Sequence, residues 1–275
     1  MKPHAVARAE ALLGSEAETW ARVVRKGYSL NEHWTATFAD GTSAFLKLAR
    51  IDPSPQWLRE EAAILATVQG PSVPRFIAFD DGAEPLLVLE DLMPARWPPP
   101  WHEGDVEAVL AALAEISLAD ADVPSLERDD WNAWRAIEAD PEPFLSTDLR
   151  DAAWLERLLP TLVAATDAAP LAGDSLLHCD VRSDNLCLKD GHVVLVDWNH
   201  ARIGNPRFDV AFWLPSLMLE RGPRPQRFGV DELAPVVAGF FAARAGLPRP
   251  AGAPRVREFQ RAQAAVALDW VEAVL

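Results

Sequence analysis

From His178 the chain reads His178-Cys179-Asp180-Val181-Arg182-Ser183-Asp184-Asn185, then two short apolar runs, then Asp197-Trp198. The runs, Leu186-Cys187-Leu188 and His192-Val193-Val194-Leu195-Val196, are split by Asp190-Gly191. Asp-Gly between apolar runs is a strong hairpin signal, because a type I′ turn needs positive φ at both central residues. A turn centred there pairs Lys189 with His192, sets Asn185 against Val196 and leaves Asp197 beside Asn185 at the open end. An amide oxygen and a carboxylate so placed suit Mg²⁺, which takes a few oxygen ligands and completes its shell with substrate phosphates. Asp180 lies on the loop that enters this hairpin.

The 275 residues can bury a sizeable core in one or two domains. A net charge of −15 argues against nucleic acid, whose phosphates require basic surfaces, and suits a cationic small molecule. The two cysteines, Cys179 and Cys187, allow at most one bridge, so a reduced, cytoplasmic protein is expected. No long apolar run opens the chain, so no signal peptide is expected. The longest apolar stretch, 210–219, is interrupted by Pro215 and too short to span a bilayer, so no membrane association is expected. A monomer is the expected state.

Along the chain, 3–13 reads as a short helix closed by Gly14, followed by strands over 18–26, 30–38 and 42–49. Asp40-Gly41 is a second hairpin signal; a two-residue turn there puts Trp34 opposite Lys47 and Ala36 opposite Phe45. Lys47 lies between Leu46 and Leu48, and a lysine in an apolar strand is costly unless its head is paired or wet. Pro53-Ser54-Pro55 opens a helix through Val68, with Leu58, Ala62, Leu65 and Val68 as its apolar stripe and both Glu60 and Glu61 able to reach Lys47. Strands over 74–80 and 85–90 follow, joined at Asp81-Gly82. The run Trp97-Pro98-Pro99-Pro100-Trp101 reads as a stiff connector or a polyproline ligand. Beyond it, helices are expected over 106–118, 131–139, 149–163, 208–219, 231–245 and 255–275. Trp131, Trp134 and Trp154 are core residues or an aromatic wall, and Asp209 is an N-terminal cap by position.

His178-x-Asp180 with Asn185 five residues after the aspartate has the spacing of a protein-kinase catalytic loop, and Asp197 stands where the metal-binding aspartate of Asp-Phe-Gly stands. With Gly204-Asn205-Pro206-Arg207-Phe208-Asp209-Val210-Ala211 downstream, the chain resembles the aminoglycoside phosphotransferase and choline kinase-like family. Cys179 departs from that family's usual Gly, and Arg182-Ser183 from its usual His-Pro.

The resemblance implies an α+β, two-lobed protein-kinase-like fold. Its small lobe, residues 1–93, holds a five-stranded antiparallel sheet and one helix and binds nucleotide. Its large lobe, 94–275, is mostly helical and carries the catalytic loop and acceptor pocket. It implies an ATP- and Mg²⁺-dependent transfer of the γ-phosphate to a hydroxyl of a small molecule, such as an antibiotic, an amino alcohol or a sugar. Asp180 would take the hydroxyl proton, and Asn185 and Asp197 would hold the metal. Lys47, paired with Glu61 by the family's Glu-x-x-x-Leu pattern, would position the α- and β-phosphates. Ser29, in the turn at Gly27, would contact phosphate. The Glu90 carbonyl and Leu92 amide would bond the purine; because these are backbone contacts, GTP stays open beside ATP. Arg182, two residues past Asp180, is assigned to the γ-phosphate, Asp269 and Glu272 to the acceptor pocket, and Asp209 to holding the catalytic-loop backbone. The alternative reading is a catalytically silent nucleotide-binding regulatory module.

Overall fold

The computed structural model describes residues 2–24, 31–250 and 255–275. In chain order its elements are α1 (His4–Leu13), β1 (Ala17–Arg22), β2 (Glu32–Phe38), β3 (Ser43–Leu48), α2 (Ser54–Leu65), β4 (Phe76–Asp80), β5 (Leu86–Glu90), α3 (Asp105–Ile116), α4 (Trp134–Ala139), α5 (Glu142–Leu145), α6 (Ala152–Asp167), β6 (Ser175–Leu177), β7 (Leu186–Lys189), β8 (His192–Leu195), β9 (Arg202–Gly204), α7 (Arg207–Leu219), α8 (Ala234–Ala245) and α9 (Val256–Val274).

The first five strands form one antiparallel sheet in the order β1-β2-β3-β5-β4, the five-stranded sheet the sequence led us to expect. Strands β3 and β5 are buried on both faces. Ala44, Leu46, Leu48, Leu86 and Val88 pack against Ala5, Val6 and Ala9 of α1, while Leu87 and Leu89 join the cluster that holds Leu58, Ala62 and Leu65 of α2. The period-2 alternation of strands sorts these residues, so Lys47 is carried to the α2 side.

The register of β2 against β3 differs from the expectation by one residue: His33, not Trp34, is opposite Lys47, and Thr35, not Ala36, is opposite Phe45. The cause is the turn. Only Gly41 has positive φ (81°), the Gly41 and Phe38 amides donate to Phe38 O and Thr42 O, and three residues rather than two connect the strands. At Asp190-Gly191 both residues have positive φ, 50° and 82°, and Lys189 pairs with His192 as expected. The same dipeptide therefore makes two different turns, and a one-residue slip exchanges the faces.

The helices of the second half share a single buried cluster with α2, running through Val109 and Ile116 to Trp134, Trp213, Leu268 and Trp270. Trp134 and Trp154 are core; Trp131 is half-buried. The helix expected over 149–163 starts later, at Ala152, where the Asp151 side chain caps the Trp154 amide. A small sheet pairing β6 with β9 was not anticipated, because three-residue strands carry no periodicity. Gly204 lies in it, where a Cβ would come within 3.0 Å of Leu126 and Leu177 side chains. Among the described residues no helix is long and apolar enough to cross a membrane.

Candidate active site

Lys47 is 2 % exposed, and burial alone would disfavour its ammonium. Its partners reverse that. Nζ lies 2.7 and 2.9 Å from the two oxygens of Glu61 and also contacts Asp197, and together the carboxylates raise the Lys47 pKa. Glu61 comes from α2, one turn before Leu65, whereas Glu60 is exposed and bonded to Gln56. Sheet, helix and the segment after β8 thus meet at one cation.

The loop that carries Asp180 is held from below. Asp209 accepts the His178 amide at 2.7 Å on one oxygen and the Cys179 amide at 2.7 Å on the other. It does not cap its own helix, as its position suggested; Asn205 Oδ1 accepts the Arg207 amide instead, at 3.0 Å. Burial pushes the Asp209 carboxyl up to about 6 against the pull of the two amides, leaving it ionised at neutral pH. His178 is fully buried, which lowers its pKa to about 4 and keeps the ring neutral. Its Nε2 donates to Val196 O at 2.9 Å, and Nδ1 accepts the Asp180 amide at 3.3 Å. The two bonds select one tautomer and tie the loop to the end of β8. Cys179 has φ +61°, the left-handed region that explains why glycine is usual at this place in the resembled family. Burial raises its thiol pKa well above the ordinary value, with Asp209 adding to the rise, so the thiol stays protonated.

Asp180 is half-buried at the cleft. Asn185 Nδ2 donates to Asp180 Oδ2 at 2.8 Å and to Asp180 O at 3.0 Å, while the Val196 amide donates to Asn185 O at 2.8 Å. With its nitrogen on Asp180, the Asn185 side chain has its oxygen left for a cation. Asp197 follows Val196 with φ +67°, a left-handed kink that ends the ribbon next to Asn185. Among the described residues no group of three or more His, Cys, Asp or Glu could enclose a metal by itself. An amide and a carboxylate form an oxygen-only set that fits a magnesium ion carried in on phosphates.

On the far side of Asp180 is a cavity of about 410 Å³. Its walls are aromatic, from Trp131, Phe212, Phe240, Phe241 and Phe259, and Trp131 stacks on Phe240 with ring centroids 5.8 Å apart. Its charged groups are Asp129, Asp180, Arg182, Arg202 and Arg244. Arg182 Nη1 lies 3.3 Å from Asp180, and its Nε donates to Asp184 at 3.0 Å. Burial would lower the Arg182 pKa, but Asp180 and Asp184 raise it, so the guanidinium stays charged. Phe240, Phe259 and Arg244 were not singled out in the sequence; the one available signal was a lone charge in the otherwise apolar α8.

Glu90 ends β5, where its side chain accepts from Lys189 and from the Arg75 amide. Two residues on, Leu92 O accepts from Ala95 N at 3.0 Å and Trp97 Nε1 at 3.2 Å. The Trp97–Trp101 run is folded onto the chain rather than presented as a free ligand: Trp101 Nε1 donates to Glu220 at 2.8 Å. Ser29 lies outside the described residues. Asp269 and Glu272 are not in the cavity; they pair with Arg150, which satisfies them at the surface.

Residues 20–259 match the phosphotransferase enzyme family (APH). Among solved structures the fold is similar to that of a protein described as a fructosamine-3-kinase from Thermobifida fusca YX-ER1, with 22% identity, 98% of each chain covered and a TM-score of 0.60. It is similar also to the amicoumacin kinase hAmiN in complex with AMP-PNP, Ca²⁺ and Ami, with 14% identity, 94% of this chain and 91% of that one covered and a TM-score of 0.58. A third, the macrolide 2′-phosphotransferase MphH from Brachybacterium faecium, has 19% identity, coverage of 95% and 97% and a TM-score of 0.57. No curated protein matches the chain in sequence.

Proposed function

This chain belongs to the phosphotransferase enzyme family, and we propose that it transfers the γ-phosphate of ATP, with magnesium, to a hydroxyl of a small molecule. The observation that carries the reading is the convergence of five side chains: Asn185 bonds Asp180, Asp197 continues the strand that bonds Asn185, and Lys47 joins Asp197 to Glu61. The AMP-PNP in the amicoumacin kinase complex supports an adenine nucleotide as donor.

Phosphoryl transfer asks a protein mainly for positioning and charge compensation. Asp180, fixed by Asn185 and by the loop bonds to Asp209, orients the acceptor hydroxyl and takes its proton. Lys47, kept charged by its two carboxylates, holds the α- and β-phosphates, and Arg182 reaches the γ-phosphate from beside Asp180. Asn185 and Asp197 would hold a magnesium ion, which would supply charge neutralisation on the phosphates. The Glu90 carbonyl and Leu92 amide take the purine edge, and Ser29 contacts phosphate. Residues 1–93 form the nucleotide lobe and 94–275 the acceptor lobe of a monomer, and the two free thiols suit a reducing compartment.

The test is ADP release by the purified protein with ATP and Mg²⁺ across a library of hydroxylated compounds. Release should require both the acceptor and the metal, and Asp197→Ala should abolish Mg²⁺-dependent nucleotide binding. Nucleotide affinity in Asp197→Ala equal to wild type, with and without magnesium, would contradict the assignment.

A further inference from the structure

The cavity beyond Asp180 is not acidic, although the chain as a whole carries a charge of −15. Three arginines and two aspartates line it. Two of the arginines are already matched to acids: Arg202 Nε lies 2.8 Å from Asp129, and Arg182 pairs with Asp184 and Asp180. Arg244 is different. Its guanidinium carbon sits 3.7 Å from the centroid of the Phe240 ring, and Nη1 donates to Phe240 O at 3.0 Å. No carboxylate of the described residues forms an ion pair with it or acts on its charge. The residues outside the description, 1, 25–30 and 251–254, include no Asp or Glu.

Arg244 is half-buried, so water satisfies it only in part. Burial lowers its pKa, and the nearby Arg257 lowers it further, yet an arginine remains charged under any physiological condition. A desolvated cation without a counter-ion is costly, and the face of Phe240 compensates it in part. A guanidinium presents five donors in a planar fork, of which one is used here by a backbone carbonyl. The remaining edge matches the two oxygens of a carboxylate or phosphate.

Resting on the phosphotransferase reading above, we infer that the acceptor is an anion. The hydroxyl presented to Asp180 belongs to a molecule that also bears a carboxylate or phosphate, and Arg244 binds that group across the aromatic cavity. Trp131, Phe212 and Phe241 enclose the part of the acceptor between the two ends. The cavity volume of about 410 Å³ is in the range that holds a small metabolite. A polyamine acceptor spanning the cavity would meet the unmatched Arg244 guanidinium and is disfavoured there by like charge. Arg244 is here a positioning and specificity residue; it takes no part in the chemistry.

Calorimetric binding in the presence of AMP-PNP and Mg²⁺, run beside ADP release with ATP, tests this on matched probes. The set pairs hydroxy acids with their amides, for example gluconate with gluconamide, and sugar phosphates with their parent sugars, within a broad metabolite library that includes kanamycin as a polycation. Ligands should come from the anionic members, and the acid and phosphate arms identify which anion is preferred. Neutralising the anion should weaken binding about 10- to 100-fold, the expected loss of a charge-assisted hydrogen-bonded pair. Arg244→Gln should raise the acceptor KM by the same factor, with the KM for ATP held, and should bind acid and amide alike. Arg244→Lys, which keeps the charge but not the fork, should fall between, and it tests the idea should the glutamine variant fold poorly. A tightest ligand that is neutral or cationic, no binding by any anion, or an Arg244→Gln enzyme that still prefers the acid would overturn the inference. Binding of an anion with no phosphate transfer would count against the phosphotransferase reading alone. Transfer to neutral or cationic acceptors alone would count against the anion site alone.

Discussion

The two sides of Asp180 are built in different ways. The phosphate side takes its groups from one contiguous stretch, Asp180, Asn185 and Asp197, plus Lys47 and its partner Glu61. Backbone geometry fixes it: a type I′ hairpin, two left-handed residues and a neutral histidine between a carbonyl and an amide. The acceptor side is assembled from Trp131, Arg182, Arg202, α7, α8 and α9, which meet only through tertiary packing. Local geometry can be shared by chains that act on unlike molecules, whereas a cavity made by packing can change wall by wall. The contrast teaches that the reaction here is set by the ribbon and the acceptor by the helices.

The sharpest way to break the contrast is Asp180→Ala, since that side chain faces both sides. Turnover should fall about 10²- to 10⁴-fold, the usual worth of a positioned proton acceptor, with nucleotide affinity retained. Steady-state ADP release beside nucleotide titration reads both, and an active variant would remove the mechanism. The next effect is on the loop beneath it, read as stability against pH. His178 has a pKa of about 4 against an ordinary 6.5, so the unfolded chain binds the extra proton first. Its contribution is complete above about 6.5 and is lost as the pH falls toward 4. Asp209 runs the other way: its carboxyl titrates near 6 against an ordinary 3.8, so its contribution is complete below about 3.8 and is lost as the pH rises toward 6. Each is worth about 3 kcal/mol by linkage, and they nearly cancel. Denaturation between pH 4 and 6.5 should therefore give a flat contribution from this pair in the wild type. Relative to it, His178→Gln should lose stability as the pH rises, and Asp209→Asn should gain it. Parallel profiles in all three would refute the opposed pair. The smallest effect sharpens where the border runs. Arg182→Ala should lose turnover about 10-fold more than it loses ATP affinity, if its guanidinium serves the γ-phosphate. A rise in acceptor KM with turnover intact would instead assign Arg182 to the acceptor side.

This contrast also explains what could be read before any coordinates. The ribbon was legible because Asp190-Gly191 forms the two-residue turn its dipeptide favours, and counting outward from it places Asn185 and Asp197. Lys47 was legible as a cation in an apolar strand, and Glu61 through a family spacing. The β2–β3 register was not, since an Asp-Gly dipeptide admits both a two-residue turn and the three-residue connection that Asp40-Gly41 makes here. Position alone made Asp209 a helix cap, which it is not; only the resemblance pointed to the catalytic-loop backbone, because the amides it accepts lie about thirty residues away. Phe240, Arg244 and Phe259 were invisible as a set: nothing local in α8 or α9 says which faces will share a cavity with Asp180.

Lys47 has an asymmetry of its own. Its bond to Glu61 is sealed, with both side chains under 5 % exposed, whereas the Asp197 side chain is 31 % exposed. Dissolved ions weaken attractions that water can reach and leave enclosed ones nearly untouched. Rising ionic strength therefore loosens one arm of the cation and spares the other: the ammonium lets go of the ribbon first and stays clasped to the helix, its charge still directed into the cleft.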